Sequence, residues 1–84
     1  MSKYTGLILV TGASTPGLEG KILETLDPFT IQIIDKQSMD IRDRFFLAIY
    51  FSLDKAHEKA IMKDLELQVA ALNLDFASDF RQEG

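Results

Sequence analysis

Two glycines bracket the segment of this sequence whose residue types and spacing could bind a ligand. Gly12 and Gly17 enclose a short turn that contains Pro16, and the apolar run of residues 7–10 precedes it. Because glycine has no side chain, backbone N–H groups in this turn can lie open to a small anion. The positive end of a following helix would point at the same place. The pattern predicts a site for an anion such as a carboxylate, although a plain strand-to-helix connection explains the same residues equally well.

The glycine spacing differs from the motifs that bind nucleotides. A P-loop needs Lys followed by Ser or Thr after its last glycine, whereas Gly17 is followed by Leu18 and Glu19. The dinucleotide pattern Gly-x-Gly-x-x-Gly is also absent from the sequence. The turn therefore does not predict a nucleotide as the ligand.

Apolar periodicity places the turn between a strand and a helix. The unbroken apolar run before Gly12 is typical of a strand that is buried on both faces. Pro16 suits the first turn of a helix, where Ser14 or Thr15 can provide the cap. A strict alternation marks a third strand at Phe45, Leu47, Ile49, Phe51 and Leu53. The sequence predicts strands over residues 3–11, 29–41, 44–53 and 74–80, and helices over residues 16–27 and 55–73.

The predicted order of strand, helix, strand, strand, helix, strand defines the fold class. Right-handed crossovers favour an α+β ferredoxin-like βαββαβ sandwich, in which a four-stranded antiparallel sheet carries both helices on one face. The first and third strands are then central, and the second and fourth lie at the edges. The 84 residues suffice for one small domain, 1–84, whose residues 81–84 we interpret as a linker or the end of a fragment.

The sheet face that points away from the helices is predicted to be more apolar than a surface in water. Its predicted residues are Ile8, Val10, Phe46, Ala48 and Tyr50. A contiguous apolar surface of this kind is typical of an interaction site. We therefore expect a copy of the chain or a neighbouring domain to cover it.

Composition and charge exclude several classes of partner. Nine basic residues stand against thirteen acidic ones, for a net charge of −4, which disfavours nucleic acid because phosphate neutralisation supplies most of that affinity. Residues 44–51 resemble the third strand of an RNA-recognition domain loosely, but they lack its glycine and its central aromatic residue. There is no cysteine and no apolar run of about 20 residues, so we expect a cytoplasmic protein without membrane contact.

Catalysis has little support in the sequence. His57 is the only histidine, and its place in the first turn of the second predicted helix favours a partly buried or capping residue over a base. No cysteine or second histidine could complete a metal site with it. Asp40, Arg42 and Asp43 are predicted to form the turn between the second and third strands. The sequence therefore predicts no catalytic and no metal-binding residue.

Two segments resemble the sequence of a known domain family. Residues 11–17 read Thr-Gly-Ala-Ser-Thr-Pro-Gly, and residues 33–37 read Ile-Ile-Asp-Lys-Gln. With these segments the chain resembles an ACT domain over residues 4–80. The resemblance implies a regulatory module that binds a small amino acid, of the serine or glycine class, where the first loop meets the second strand of a partner domain. It also implies that two such domains pair, as a homodimer or in tandem.

The resemblance implies ligand-binding residues in the first loop and on the second strand. They are Gly12, Ala13, Ser14, Thr15, Pro16, Gly17, Leu18, Ile34 and Asp35. Where the family commonly carries Asp and Arg in this loop, the chain has Ser14 and Thr15. The loop itself thus lacks a carboxylate for the ammonium group of an amino acid. A module that pairs with other domains without a ligand is therefore the alternative.

Three further segments resemble the amino-terminal ACT domain of bacterial phosphoserine phosphatases. These are residues 41–47, 53–57 and 63–65. The resemblance implies an amino-terminal part of a longer hydrolase of serine biosynthesis, under allosteric regulation, whose catalytic domain and Mg²⁺ would lie beyond Gly84. The phosphatase signature Asp-x-Asp-x-Thr is absent from this chain, so we expect it to carry no cofactor and no catalysis of its own. A regulator related to the control of glycine cleavage is the alternative.

Overall fold

The computed structural model describes residues 3–83, which form four strands and two helices. In chain order the elements are β1 (Lys3–Ala13), α1 (Leu18–Leu26), β2 (Ile31–Ile41), β3 (Arg44–Leu53), α2 (Glu58–Ala71) and β4 (Asp75–Glu83). The strands form one antiparallel sheet in the order β2-β3-β1-β4. The predicted ferredoxin-like fold, with β1 and β3 in the centre of the sheet, is confirmed.

The hydrophobic core lies between the sheet and the two helices. β3 contributes the alternating residues that its sequence pattern predicts, and β1 contributes two more. Each helix presents one apolar stripe, because residues three or four apart share a helix face. Burying one large aliphatic side chain stabilises the fold by about 1.5–3 kcal/mol relative to leaving it exposed. The buried hydrophobic residues of these elements are Ile8, Val10, Leu18, Ile22, Leu26, Phe45, Leu47, Ile49, Phe51, Leu53, Ile61, Leu65 and Val69.

The sheet face that points away from the helices differs from the prediction in β1. Ile8 and Val10, predicted on this face, are fully buried against the helices. Leu7 and Leu9 take their place and are 45% and 44% exposed. Side chains of a strand alternate between the two faces, and residues 7–10 are apolar at every position, so the local pattern could not select the correct face. We use the name outer face for Leu7, Leu9, Met39, Ile41, Phe46, Ala48 and Tyr50.

The last strand extends further than predicted. Residues 81–83, expected to belong to a linker, continue β4 as far as Glu83. In this part of the sheet Arg81 pairs with Thr5, and Glu83 pairs with Lys3. The backbone hydrogen bonds of a ladder do not require apolar side chains, so a polar strand end escapes detection by hydrophobic pattern. Gly84 lies outside the described residues.

Helix α1 begins later than predicted. Its first residue is Leu18 rather than Pro16, because Gly17 precedes it with φ 81° and cannot continue a right-handed helix. The expected cap from Ser14 or Thr15 is wrong, since no side chain caps this helix. The first backbone N–H groups of α1 are therefore left without a partner from the loop side chains.

Helix α2 also begins later than predicted, because residues 55–57 form a 3-10 turn. Asp54 caps this turn: its side chain accepts a hydrogen bond from the backbone N–H of Ala56 at 2.9 Å. Asn73 ends the helical segment with a φ of 58°. Within residues 3–83 neither helix has the length and apolar character needed to cross a membrane.

Strand β2 is the exposed edge that its mixed sequence predicts. Ile31 is half-buried, and the remaining residues of the strand are exposed. A shift of register between Ile33 and Asp35 leaves Ile34 as the extra residue of a β-bulge. The nine residues of α1 make a helix of about 14 Å, whereas the eleven residues of β2 span roughly 36 Å. β2 is therefore more than twice as long as α1, which can cover only part of it.

Candidate functional site

Of the predicted loop site, residues 12–18, the structure leaves residues 14–17 as the connection between β1 and α1. Ser14 holds the loop against the turn between β2 and β3 by donating its backbone N–H to the carbonyl oxygen of Asp43 at 2.8 Å. Gly17 ends the loop in a left-handed conformation that favours glycine. Nothing lies within 4 Å of the position that a Cβ on Gly17 would take. Backbone conformation, rather than close packing, thus explains this glycine, and the space beside it is open.

A cavity of about 440 Å³ lies beside the loop. Its volume falls within the range of ligand pockets, about 300–1,000 Å³, and exceeds what one small amino acid needs. It is lined by Ser14, Thr15, Pro16, Gly17, Leu18, Glu19, Gly20, Ser38, Asp40 and Phe45. The loop, the first turn of α1, the end of β2 and the start of β3 therefore share one cavity.

Five residues of the predicted loop site line one cavity, and its first two residues do not. Ser14 to Leu18 all line the cavity, whereas Gly12 and Ala13 belong to β1. A Cβ on Gly12 would meet the side chain of Leu74, which follows α2. The absence of a side chain at Gly12 thus serves the close approach of Leu74 to the sheet.

The two predicted site residues on β2 lie apart from the loop within one chain. Ile34 is the bulge residue and is 45% exposed. Asp35 lines a smaller depression of about 150 Å³, and one of its carboxylate oxygens accepts the backbone N–H of Lys36 at 2.8 Å. Neither residue lines the cavity at the loop. The family resemblance implies that the loop of one domain meets the second strand of a partner domain, and this arrangement stays a prediction.

Asp40 is a residue of the cavity that pattern reasoning missed. It lies in β2 rather than in the predicted turn, and its Oδ1 accepts a hydrogen bond from Oγ of Ser14 at 2.6 Å. Asp40 pairs with Phe45, whose side chain is buried on the helix side of the sheet. A two-residue turn at positions 42–43 fixes this pairing, so counting back from it would have placed Asp40 on the same side.

A salt bridge ties the first turn of α1 to β2 at the border of the cavity. The Nζ of Lys36 lies 2.7 Å from Oε2 of Glu19, and about a third of each side chain is exposed. Hydrogen bonding by Lys36, followed in effect by Ser38, lowers the pKa of Glu19 from its ordinary value. The carboxylate of Glu19 is therefore charged at neutral pH and already compensated, whereas Asp40 forms no salt bridge among residues 3–83.

A second, larger cavity of about 560 Å³ lies at the opposite end of the sheet, where β1 and β2 begin. Tyr4 lines it, and its hydroxyl donates a hydrogen bond to the carboxylate of Glu58. This hydrogen bond is the main reason why the pKa of Tyr4 lies above its ordinary value. The cavity shares no residue with the predicted loop and has no counterpart among the sequence motifs.

His57 is half-buried, as its position predicts, and it lines neither the cavity at the loop nor the depression beside Asp35. Its ring lies 6.2 Å from that of Phe29, measured between centroids, and its Nδ1 has no hydrogen-bond partner in the described part of the chain. Over residues 3–83 no three side chains of His, Cys, Asp or Glu come together as metal ligands would.

Comparison with known proteins points to one family. A sequence model described as "ACT domain" matches residues 5–78, which is most of the chain. No curated protein matches the sequence.

Solved structures share this fold at low sequence identity. A putative glycine cleavage system transcriptional repressor is 16% identical with a TM-score of 0.85, over 96% of this chain and 47% of that one. An ACT domain protein from Streptococcus pneumoniae is 15% identical with a TM-score of 0.79, over 92% of this chain and 89% of that one. A formyltetrahydrofolate deformylase from Pseudomonas putida KT2440 is 19% identical with a TM-score of 0.80, over 89% of this chain and 28% of that one. The chain thus spans less than half the length of the repressor and of the deformylase.

Proposed function

The chain belongs to the ACT domain family, and on that premise we propose that it is a regulatory domain that binds a small amino acid of the serine or glycine class. ACT domains typically bind small amino acids and dimerise. The observation that carries the proposal for this chain is the cavity of about 440 Å³ beside the loop. Its position agrees with the loop to which the family resemblance assigns the ligand.

The local chemistry of the cavity suits the carboxylate of an amino acid. Leu18 and Glu19 belong to the first turn of α1, where backbone N–H groups have no partner within the helix. Because Gly17 carries no capping side chain, these donors stay available to a ligand, and the helix dipole favours a negative charge there. The salt bridge to Lys36 compensates the charge of Glu19, which would otherwise oppose the carboxylate.

Thermal melting in the presence of each of the twenty common amino acids tests the proposal. Mass action predicts a gain of about 1.4 kcal/mol when the free ligand is at ten times its dissociation constant. For a domain of this size the gain corresponds to a rise of roughly 6–10 °C in Tm. We expect serine or glycine to give the largest rise and sodium acetate, which has no ammonium group, to give none. If no amino acid at millimolar concentration shifts Tm, the sensing role is lost.

The enzyme that such a domain would regulate is a further step of the proposal. Residues 41–47, 53–57 and 63–65 support a phosphoserine phosphatase of serine biosynthesis, a cytoplasmic hydrolase with Mg²⁺ in its catalytic domain. The fold shared with a putative glycine cleavage repressor supports the alternative, a regulator related to glycine cleavage. The natural reading frame that contains this sequence decides between them. An Asp-x-Asp-x-Thr motif downstream supports the phosphatase, and a second ACT domain without that motif contradicts it.

A second candidate function is an interaction module that pairs through the outer face. Met39 and Ile41 are 52% and 55% exposed, and Leu7 and Leu9 are nearly as exposed. Apolar side chains that lie together at this exposure are typical of a protein interface. This function does not need a ligand, and the two functions can coexist in one domain.

A further inference from the structure

The loop beside the cavity carries no charge that could bind an ammonium group. Ser14, Thr15, Pro16 and Gly17 are all uncharged. An α-amino acid at neutral pH carries a carboxylate and an ammonium group at once, so its site must stabilise both charges. The start of α1 offers donors for the carboxylate. A negative charge for the ammonium group has to come from another element.

Two carboxylates line the cavity, and only one of them is available to bind the ammonium group of a ligand. Glu19 forms a salt bridge with Lys36 at 2.7 Å, so its charge is compensated within the protein. Asp40 lies on β2, which the sheet order separates from the loop by β3. It forms no salt bridge within residues 3–83. Asp40 is therefore the lining residue whose negative charge remains uncompensated.

The contact between Ser14 and Asp40 fixes the carboxylate at the loop. The hydroxyl of Ser14 donates to Oδ1 of Asp40 at 2.6 Å, a short distance that is typical of hydrogen bonds to ionised acceptors. An ionised carboxylate has about four acceptor sites on its two oxygens, and Ser14 uses one. Oδ2 of Asp40 remains able to accept hydrogen bonds from an ammonium group. Asp40 is exposed, and it pairs across the strands with Phe45, which is only 6% exposed and also lines the cavity.

We propose that Asp40 determines the specificity of this site for amino acids by binding their ammonium group, with Ser14 as the residue that positions its carboxylate. The inference rests on the proposed function, since it assigns one half of the ligand to Asp40 and the other to the start of α1. The pairing of β2 with β3 places the carboxylate of Asp40 beside the loop. The site is thereby selective for zwitterions over simple carboxylates.

Calorimetric titration of L-serine, glycine and N-acetyl-L-serine tests this assignment. Asp40→Asn keeps the shape of the side chain and removes its charge, and we expect it to weaken binding of serine and glycine by about tenfold. Asp75→Asn, a matched change at an exposed position of β4 outside the cavity, should leave both affinities unchanged. N-acetyl-L-serine has no ammonium group, so Asp40→Asn should bind it no more weakly than the original protein does.

Exchanging the side chains of Ser14 and Asp40 shows whether affinity is lost because the charge is removed or because the site is distorted. The double variant Ser14→Asp with Asp40→Ser exchanges the two hydrogen-bonded side chains, so that position 14 carries the carboxylate and position 40 the hydroxyl. We expect this variant to regain most of the affinity for serine. Equal affinity of the original protein and Asp40→Asn for serine would overturn the role of Asp40 while leaving the sensing function in place. Failure of serine and glycine to bind the original protein removes the sensing function, and the role of Asp40 with it. Circular dichroism of each variant shows whether it is folded.

Discussion

Gly17 sets the direction in which the chain leaves β1 for α1. Its φ of 81° is accessible to glycine at little cost and strains any residue that has a Cβ. The open space around it means that a side chain would meet no neighbour. The cost of a substitution is thus conformational, and it can be measured without interference from packing.

We expect Gly17→Ala to lower the free energy of unfolding by about 1 kcal/mol because alanine is strained in the left-handed region. Gly20→Ala is the matched control, since Gly20 lies inside α1 and its Cβ would also meet nothing within 4 Å. There alanine should raise the free energy of unfolding by about 0.5–1 kcal/mol. Urea denaturation measures both. A change of the same sign in the two variants would contradict the role assigned to the backbone of Gly17.

At the scale of elements, one ion pair links α1 to β2. Glu19 in the first turn of the helix and Lys36 on β2 form this pair. Because both side chains are partly exposed, solvent screens the pair and its contribution is small. Glu19 nevertheless lines the cavity beside the loop.

The pH dependence of stability should report this ion pair. The pKa of Glu19 is lower in the folded than in the unfolded protein, so its contribution is present above the unfolded pKa and is lost as pH falls through the folded pKa. We expect Glu19→Gln to cost about 0.2–1 kcal/mol at pH 7, and nothing at a pH well below the ordinary range of a carboxyl group. Glu24→Gln, a change at an exposed position of the same helix, is the control. Urea denaturation that finds the same loss for Glu19→Gln at both pH values would rule out the salt bridge as its cause.

The whole molecule is elongated, with principal extents of 42, 21 and 17 Å. Its strands are longer than its helices, so the helix layer covers one face of the sheet only in part and the outer face not at all. A domain of 84 residues buries a smaller fraction of the surface of its unfolded chain than a larger domain does, and pairing would bury more. The exposed residues Leu7 and Leu9 lie in the centre of the outer face, where a partner would contact them.

Pairing through the outer face predicts a dimer that one charge can dissociate. We expect the original protein to sediment as a dimer and Leu9→Asp to sediment as a monomer, since the new carboxylate would be buried without a partner. Leu67→Asp is the matched control, because Leu67 lies on α2 and is 64% exposed. A dimer that survives Leu9→Asp would move the interface elsewhere, with the exposed edge of β2 as the next candidate.

Much of the fold was predictable from the sequence because its strongest patterns are local. The alternation from Phe45 to Leu53 identified β3 with correct ends, and apolar spacing identified both helices within a few residues. The element order then left few topologies. The patterns failed where the backbone, rather than the apolar side chains, determines the structure. The polar end of β4 is held by backbone hydrogen bonds, and the φ angle of Gly17 makes α1 begin later than predicted.

The sequence by itself determined the elements, their order and the loop that resembles a binding site. The tertiary structure decided which of Ile8 and Leu9 faces the core, because a run that is apolar at every position fits either face of a sheet. It also brought Asp40 to Ser14, two residues that lie 26 positions apart in the chain. No local pattern encodes such a contact, since it arises only when strand pairing sets the register between distant segments.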